Sequence, residues 1–298
     1  MHLIPLVCLA SLAAALQPAP PDLTSPPGPR STPDDANQPW RSDLRAVSVL
    51  GDSTPSPSFH LSAAAAPSLA RDSRGTLYAV FQWYPRSDPA ASGSLALHRS
   101  FDNARAWTPP RALSIRALPG TLLPPSDPVL VVLPDDSLRL YFLAAQRTEP
   151  RTIALYSAIS RDGGESFTFE SGQRFQPERG APCAIARRNA EWLLVSTDSV
   201  GPIRATSADG LTFTHAGRID ANVPGQWIGS LVTDGDAFTF FGQAGPNTTI
   251  WRATSTDGKA WTSQPSIDLR GSRPAAVRPE AGRWFILAST LPSPVRTS

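Results

Sequence analysis

Three features of the chain predict an all-β fold in which one small sheet repeats around an axis. No segment sustains the apolar period near 3.6 that a packed helix needs. Short apolar runs alternate instead with turn clusters, as in Thr76–Trp83, Val129–Leu133, Leu138–Leu143, Ile153–Ala158, Trp192–Val195, Phe238–Phe241 and Trp284–Ala288. Such runs read as strands. Two series of motifs then recur in step, which is the mark of a repeat architecture.

The first series is a serine, an aspartate two residues later, a turn and an aromatic. It occurs as SFDNARAW from Ser100, SRDGGESF from Ser160, SADGLTF from Ser207 and STDGKAW from Ser255. The starts lie 60, 47 and 48 residues apart, the size of a four-stranded blade. The second series comprises AAAAPSLA at Pro67, PSDPVLVV at Pro128, RGAPCAIA at Pro182 and GQWIGSLV at Gly229. These precede the box serines by 33, 32, 25 and 26 residues, and a fifth copy, GSRPAAVR at Pro274, has no box after it. The predicted fold is therefore a β-propeller of five blades, with six as the alternative. The last blade has an inner strand near Pro274 and a second strand at Trp284–Ala288, with too little chain left for two more. An open edge would leave backbone groups unpaired, so Leu44–Val49 is expected to complete this blade from outside.

The box series resembles that of the sialidase-like Asp-box (bacterial neuraminidase repeat) family, whose pattern Ser160, Asp162, Gly164 and Phe167 match in full. Ala104 replaces the glycine of the first copy, and the last two copies are one residue shorter. The likeness spans roughly residues 62–290. It implies boxes between the third and fourth strands of each blade, away from the central pocket. Asp102, Asp162, Asp209 and Asp257 are accordingly read as turn formers, since a short carboxylate accepts nearby backbone N–H groups while glycine supplies positive φ. Active sialidases of this kind hold a substrate carboxylate with three arginines, the first in an Arg-Ile-Pro motif, and use a late tyrosine as nucleophile. Here Ala63 to Ala66, with no arginine, precede Pro67, and the tyrosines are Tyr78, Tyr84, Tyr141 and Tyr156, none of them late in the chain. Both features are thus missing where the resemblance places them, and a glycoside hydrolase would be sialidase-like or arabinanase/xylosidase-like. The five-bladed arabinanase and xylosidase group often begins its inner strands with Asp-Pro. Asp127-Pro128 fits it, but the first blade has Ala66-Pro67 where a general base belongs.

The amino terminus reads differently. Leu3 to Leu16 is one apolar run ending near Ala13, Ala14 and Ala15, too short to span a bilayer and suited to a secretory signal over residues 1–16. Residues 17–41 are dense in proline and lack apolar periodicity, so a disordered tether is expected before a propeller over 42–298. The chain thus reads as a secreted or periplasmic protein of bacterial type with no stable membrane insertion, and as a monomer. Charged residues make up 17% with a net charge of +2, and the arginines are scattered, which argues against nucleic-acid binding. After signal removal Cys183 is alone in an apolar setting, so neither a disulfide nor a nucleophile is expected. No phosphate loop, metal-ligand spacing or cofactor motif appears.

On the propeller plan, functional side chains come from the starts of inner strands and the ends of second strands. Sugar sites combine carboxylates, arginines, amides and aromatics. The candidate catalytic carboxylates are Asp127, Glu178 and Asp198, and the candidate substrate-binding residues are Gln82, Trp83, Gln146, Arg147, Trp227, Gln243 and Arg273. Asp127, Glu178, Arg147 and Arg273 are expected at one end of the central channel, opposite Asp162 and Asp257. Two functions remain open: a glycan-acting enzyme, specifically a glycoside hydrolase, or a non-catalytic propeller that binds a glycan, another polar small ligand or a protein.

Overall fold

A computed structural model of the protein describes residues 39–50, 56–223 and 225–290. The expected signal, and the tether apart from Pro39–Arg41, lie outside the described residues. β1 (Asp43–Leu50) and β2 (Ser56–Leu61) open the described strands. One antiparallel sheet follows in chain order, from β3 (Ala64–Arg71) through β4 (Leu77–Trp83) and β5 (Ser94–Ser100) to β6 (Arg111–Ala112). Next come β7 (Ile115–Arg116), β8 (Ser126–Val132), β9 (Leu138–Ala145), β10 (Ile153–Ser160) and β11 (Phe167–Phe175), with β7 parallel to the outer strand β11. A third sheet runs through β12 (Ala184–Arg188), β13 (Glu191–Thr197), β14 (Pro202–Ser207) and β15 (Thr214–Arg218). The largest sheet gathers β16 (Asp220–Ala221), β17 (Gln226–Asp234), β18 (Ala237–Gln243), β19 (Thr248–Ser255), β20 (Ala260–Glu280) and β21 (Arg283–Thr290) with β1 and β2. Every apolar run named above falls mainly on one of these strands.

The 21-residue β20 explains the largest sheet. Its first part pairs with β19, from Thr262 opposite Thr254 to Gly271 opposite Thr248. Its second part pairs with β21, from Ser272 opposite Ser289 to Glu280 opposite Arg283. One strand is therefore the outside of one four-stranded group and the inside of the next. β1 then pairs along the whole of β21, Asp43 opposite Thr290 through Leu50 opposite Arg283, as the closure argument requires. β2, which the sequence reading did not anticipate, adds beyond β1. Its Pro57 sits where an outer edge tolerates a residue without an N–H.

The inner strands adjoin in a ring, with β3 against β8, β8 against β12, β12 against β17, β17 against β20 and β20 against β3. Apolar clusters fill the seams. Val80 and Leu97 meet Leu140 and Phe142, Tyr141 and Leu143 meet Trp192 and Leu194, and Leu193 and Val195 meet Phe238 and Trp251. Phe241 and Ile250 meet Trp284 and Ile286, while Leu44 and Phe285 meet Leu77 and Phe81. Trp251 and Trp261 lie in these seams. The protein is an all-β propeller.

Each box serine ends the third strand of its sheet, and the four turns share one hydrogen-bond pattern. The serine hydroxyl donates to the aspartate, and accepts from the N–H of Ala104, Gly164, Gly210 or Gly258. Backbone N–H groups of Ala106, Leu211 and Lys259 are the main reason that Asp102, Asp209 and Asp257 lie below the ordinary carboxylate range. At Asp162 burial works upward, but the Ser166 hydroxyl and N–H outweigh it and hold the carboxyl well below that range. Acids with depressed pKa stabilise the fold above about pH 4 and lose that contribution only as pH falls further.

His98 acts in a different window. Its ring is buried among Phe59, Phe81 and Trp107, its Nδ1 meets the Thr108 carbonyl, and its Nε2 has no partner. Burial lowers its pKa, against the Thr108 hydrogen bond, so the folded ring takes up a proton less readily than a free imidazole. The unfolded chain protonates near pH 6.5, ahead of the fold, so stability falls as pH drops from 7 to 5. The loss expected over that range is at most about 2 kcal/mol. Urea titrations at both pH values should show His98→Phe removing this slope; an unchanged slope would assign it elsewhere.

Candidate functional site

The five motifs of the second series converge on one narrow cavity of about 50 Å³, lined by Pro67, Pro128, Pro182, Gly229 and Ala276 among others. The cavity is the propeller's channel. Proline has no N–H to give a ladder, so within sheets it is confined to edge strands and bulges; here the chain bulges. It does so in three blades. Pairing skips between Ala65 and Ser68 on β3, between Ser126 and Val129 on β8, and between Ser272 and Ala275 on β20. In each bulge the residue before proline is left-handed: Ala66 at φ 50°, Asp127 at φ 48° and Arg273 at φ 52°. Such a conformation costs a non-glycine residue about 1–3 kcal/mol, and bulges re-aim side chains.

Ala66, Asp127 and Arg273 line both the channel and a wider mouth of about 290 Å³. The guanidinium of Arg273 forms an ion pair with the mostly buried carboxylate of Asp127. Buried Gln243 braces the site from the neighbouring blade. Its Oε1 accepts from the Arg273 N–H at 2.7 Å, and its Nε2 donates to Gln226 Oε1 at 2.8 Å. Ser289 Oγ accepts from the Ala66 N–H at 3.1 Å. Gln82, Tyr84, Ser126, Asn247 and Thr290 complete the wall. Cys183 also lines the channel; burial pushes its thiol up to about 12, which leaves it protonated and inert.

The other sequence candidates sit elsewhere. Glu178 Oε2 accepts from the N–H and hydroxyl of Ser199, at 3.1 and 3.3 Å. Asp198 binds Arg218 through both oxygens, at 3.0 and 2.8 Å, and accepts from the N–H groups of Val200 and Gly201. Arg218 first, then Val200, hold the Asp198 carboxyl well below the ordinary range. Neither acid lines the channel or its mouth. Gln146 donates to the Tyr156 hydroxyl and Arg147 to the Gly120 carbonyl. Trp83 packs on the seam cluster around Leu77 and Phe285. Trp227 is buried within 5.3 Å of the rings of Phe240, Trp251 and Trp261, a packing position. Asp127 and Arg273 come together as expected, whereas Glu178 and Arg147 remain out on the loops of that end.

Tyr84, at the second-strand end that also supplies Gln82 and Trp83, lines the mouth as well. Asn247 is a mouth residue that the sequence candidates lack, because it lies in a turn that the repeats do not mark. At the opposite end, Asp162, Asp135 and Asp136 border a cleft of about 870 Å³. It is larger than the mouth, but these acids are spent on turns and local bridges through Ser166, Ser137 and Ser73.

No protein-family model and no curated protein matches the sequence. Solved structures share its fold. The β-xylosidase RS223 superposes with a TM-score of 0.54 at 11% identity, over 76% of this chain and 91% of that one. A GH43 enzyme of Xanthomonas citri, solved with xylotriose, gives 0.54 at 13% identity over 76% and 87%. A family 117 glycoside hydrolase of Zobellia galactanivorans gives 0.53 at 10% identity over 86% and 92%. At such identities the likeness is one of architecture: this chain has the β-propeller fold that those glycoside hydrolases share.

Proposed function

We propose that the protein is a secreted, monomeric propeller of five blades that binds a glycan at the channel mouth without cleaving it. The carrying observation is the state of the three candidate carboxylates. Glycoside hydrolysis needs two carboxyl groups flanking one bond, one of them an acid of raised pKa. Asp127 is paired with Arg273 and stands alone in the mouth, while Asp198 is paired with Arg218 and Glu178 is committed to Ser199. A paired carboxylate and guanidinium present fixed acceptors and donors to sugar hydroxyls but no proton to give. Gln82 adds a further amide beside them. The architecture shared with carbohydrate-active propellers supports the same ligand class.

The test combines a glycan array with a chromogenic glycoside screen. Arg273→Ala is expected to weaken retention by about 1.5–3 kcal/mol, roughly ten- to a hundredfold, through a lost charged hydrogen bond. The double variant Asp127→Asn, Arg273→Gln, which leaves no charge unpaired, should melt close to the wild type. Hydrolysis that disappears in Asp127→Ala would replace this reading with the enzymatic one.

A further inference from the structure

We infer that the mouth is the inner half of a longer site whose outer half is an aromatic platform made by Trp40 and Tyr84, so that the ligand is an oligosaccharide of at least two units. The inference rests on the glycan-binding reading above and adds where the second unit lies. Trp40 belongs to a short turn, Pro39–Arg41, immediately before Ser42, which itself lines the mouth. Its indole is 50% exposed, although large apolar side chains are otherwise mostly buried here. The Trp40 ring stands edge-on to Tyr84, with centroids 6.4 Å apart at 65°. Tyr84 is a wall residue of the same cavity, and the positive charge of Arg273 reaches its hydroxyl, opposing the upward shift that burial gives its pKa. Polar pair and phenol therefore share the wall of the mouth, and the indole adjoins the phenol beside it.

That sequence of surfaces selects a ligand class. A sugar ring offers hydroxyls at its edge and a patch of C–H groups on its face. Asp127, Arg273 and Gln82 suit the hydroxyls, while an aromatic ring with a polar tip suits the face. The channel below the mouth, about 50 Å³, has several-fold less room than the mouth of about 290 Å³. A second unit cannot continue inward. It leaves through the mouth, where Tyr84 leads to Trp40.

The experiment is an array printed with mono-, di- and trisaccharides of each of a panel of neutral and acidic sugars, probed with wild type, Trp40→Ala, Trp40→Phe and Arg273→Ala. Thermal melts accompany each variant; Trp40→Ala should melt like the wild type, since half its ring is already in water. The wild type is expected to hold the di- or trisaccharide more tightly than the monosaccharide. Trp40→Ala should lose roughly five- to tenfold on the longer ligands and nothing on the monosaccharide, with Trp40→Phe recovering most of it. Arg273→Ala should weaken all lengths alike. Equal binding of all lengths, or a Trp40→Ala protein indistinguishable from wild type, overturns the platform while leaving the mouth intact. A wild type that retains no sugar removes the glycan-binding reading and the platform with it.

Discussion

Ala46→Pro is expected to unfold the propeller or to lower its stability by about 3 kcal/mol or more. Ala46 is buried at the centre of β1, opposite Leu287 of β21 on one side and Phe59 of β2 on the other. Proline there removes a ladder hydrogen bond in the strand that pairs the amino-terminal segment with β21. Leu44, fully buried in the seam with Phe285 and Leu77, would lose its setting as well. Deleting residues 39–61 should have the larger effect, because it uncovers the whole edge of β21. Deleting residues 17–38, the proline-rich stretch with no apolar face, should leave the melting temperature nearly unchanged. Circular dichroism melts of the three proteins decide the matter. An Ala46→Pro protein that melts within a few degrees of wild type would mean that β1 is not the closing strand.

Gly210→Ala is the second change expected to be severe. Gly210 is at φ 74°, and a Cβ there would lie 2.7 Å from both Trp192 Cε2 and the Tyr141 hydroxyl. Those rings come from adjacent blades, and the Tyr141 hydroxyl donates to the Gly210 carbonyl at 2.8 Å. Left-handed strain costs roughly 1–2 kcal/mol and crowding a packed seam roughly 1–3 more. A loss of about 2–5 kcal/mol should appear as a lower urea midpoint with an unchanged slope. The first box supplies the internal control. Ala104 occupies the same turn position at φ 69° and is buried, so that site already accommodates a methyl group. Ala104→Gly exchanges relief of strain for a lost methyl and should change stability by less than about 1 kcal/mol. If Gly210→Ala were equally mild, the turn and not the seam contact would govern the box glycine.

The repeat was legible because its chemistry is local. A serine, an aspartate and a glycine close their own turn whatever surrounds them, so Ser160, Asp162 and Gly164 announce it without tertiary help. The closing role of Leu44–Val49 followed from counting strands against the chain that remained. β2 escaped notice because SPSFHL has only a short apolar stretch and depends on β1 for its pairing. The merger of two strands into β20 has no sequence mark, since QPSIDLRGS reads as a loop until two neighbouring sheets supply partners for both its ends.

The site was half legible for a related reason. Treating every inner-strand start as equivalent placed Asp127 and Arg273 correctly and Glu178 too near the axis. Ala181, before Pro182, has φ −56° where its counterparts are left-handed. Its blade approaches the channel through the turn Glu178–Gly180 instead of a bulge, and Glu178 meets Ser199. Trp227 was misjudged because a two-residue skip in the pairing of β17 with β18 accompanies an indole turned into the seam. Proline in a strand with neighbours on both faces was the available signal for the three bulges, and it points to the residue just before it.

The ladder between β1 and β21 also sets a clock. Asp43 and Thr290, its end partners, are 247 residues apart in the chain. At about 5–20 residues per second, a ribosome completes that interval in roughly 12–50 s. Throughout that time β1 has no β21 to pair with, and the ring cannot close however quickly its earlier blades form. Its alternating core-facing residues, Leu44 and Ala46, meanwhile belong to an unpaired edge of the kind that recruits other chains. Yield in a fast-translating host should therefore rise when synthesis is slowed or a holdase is present, because β1 is made long before its partner β21.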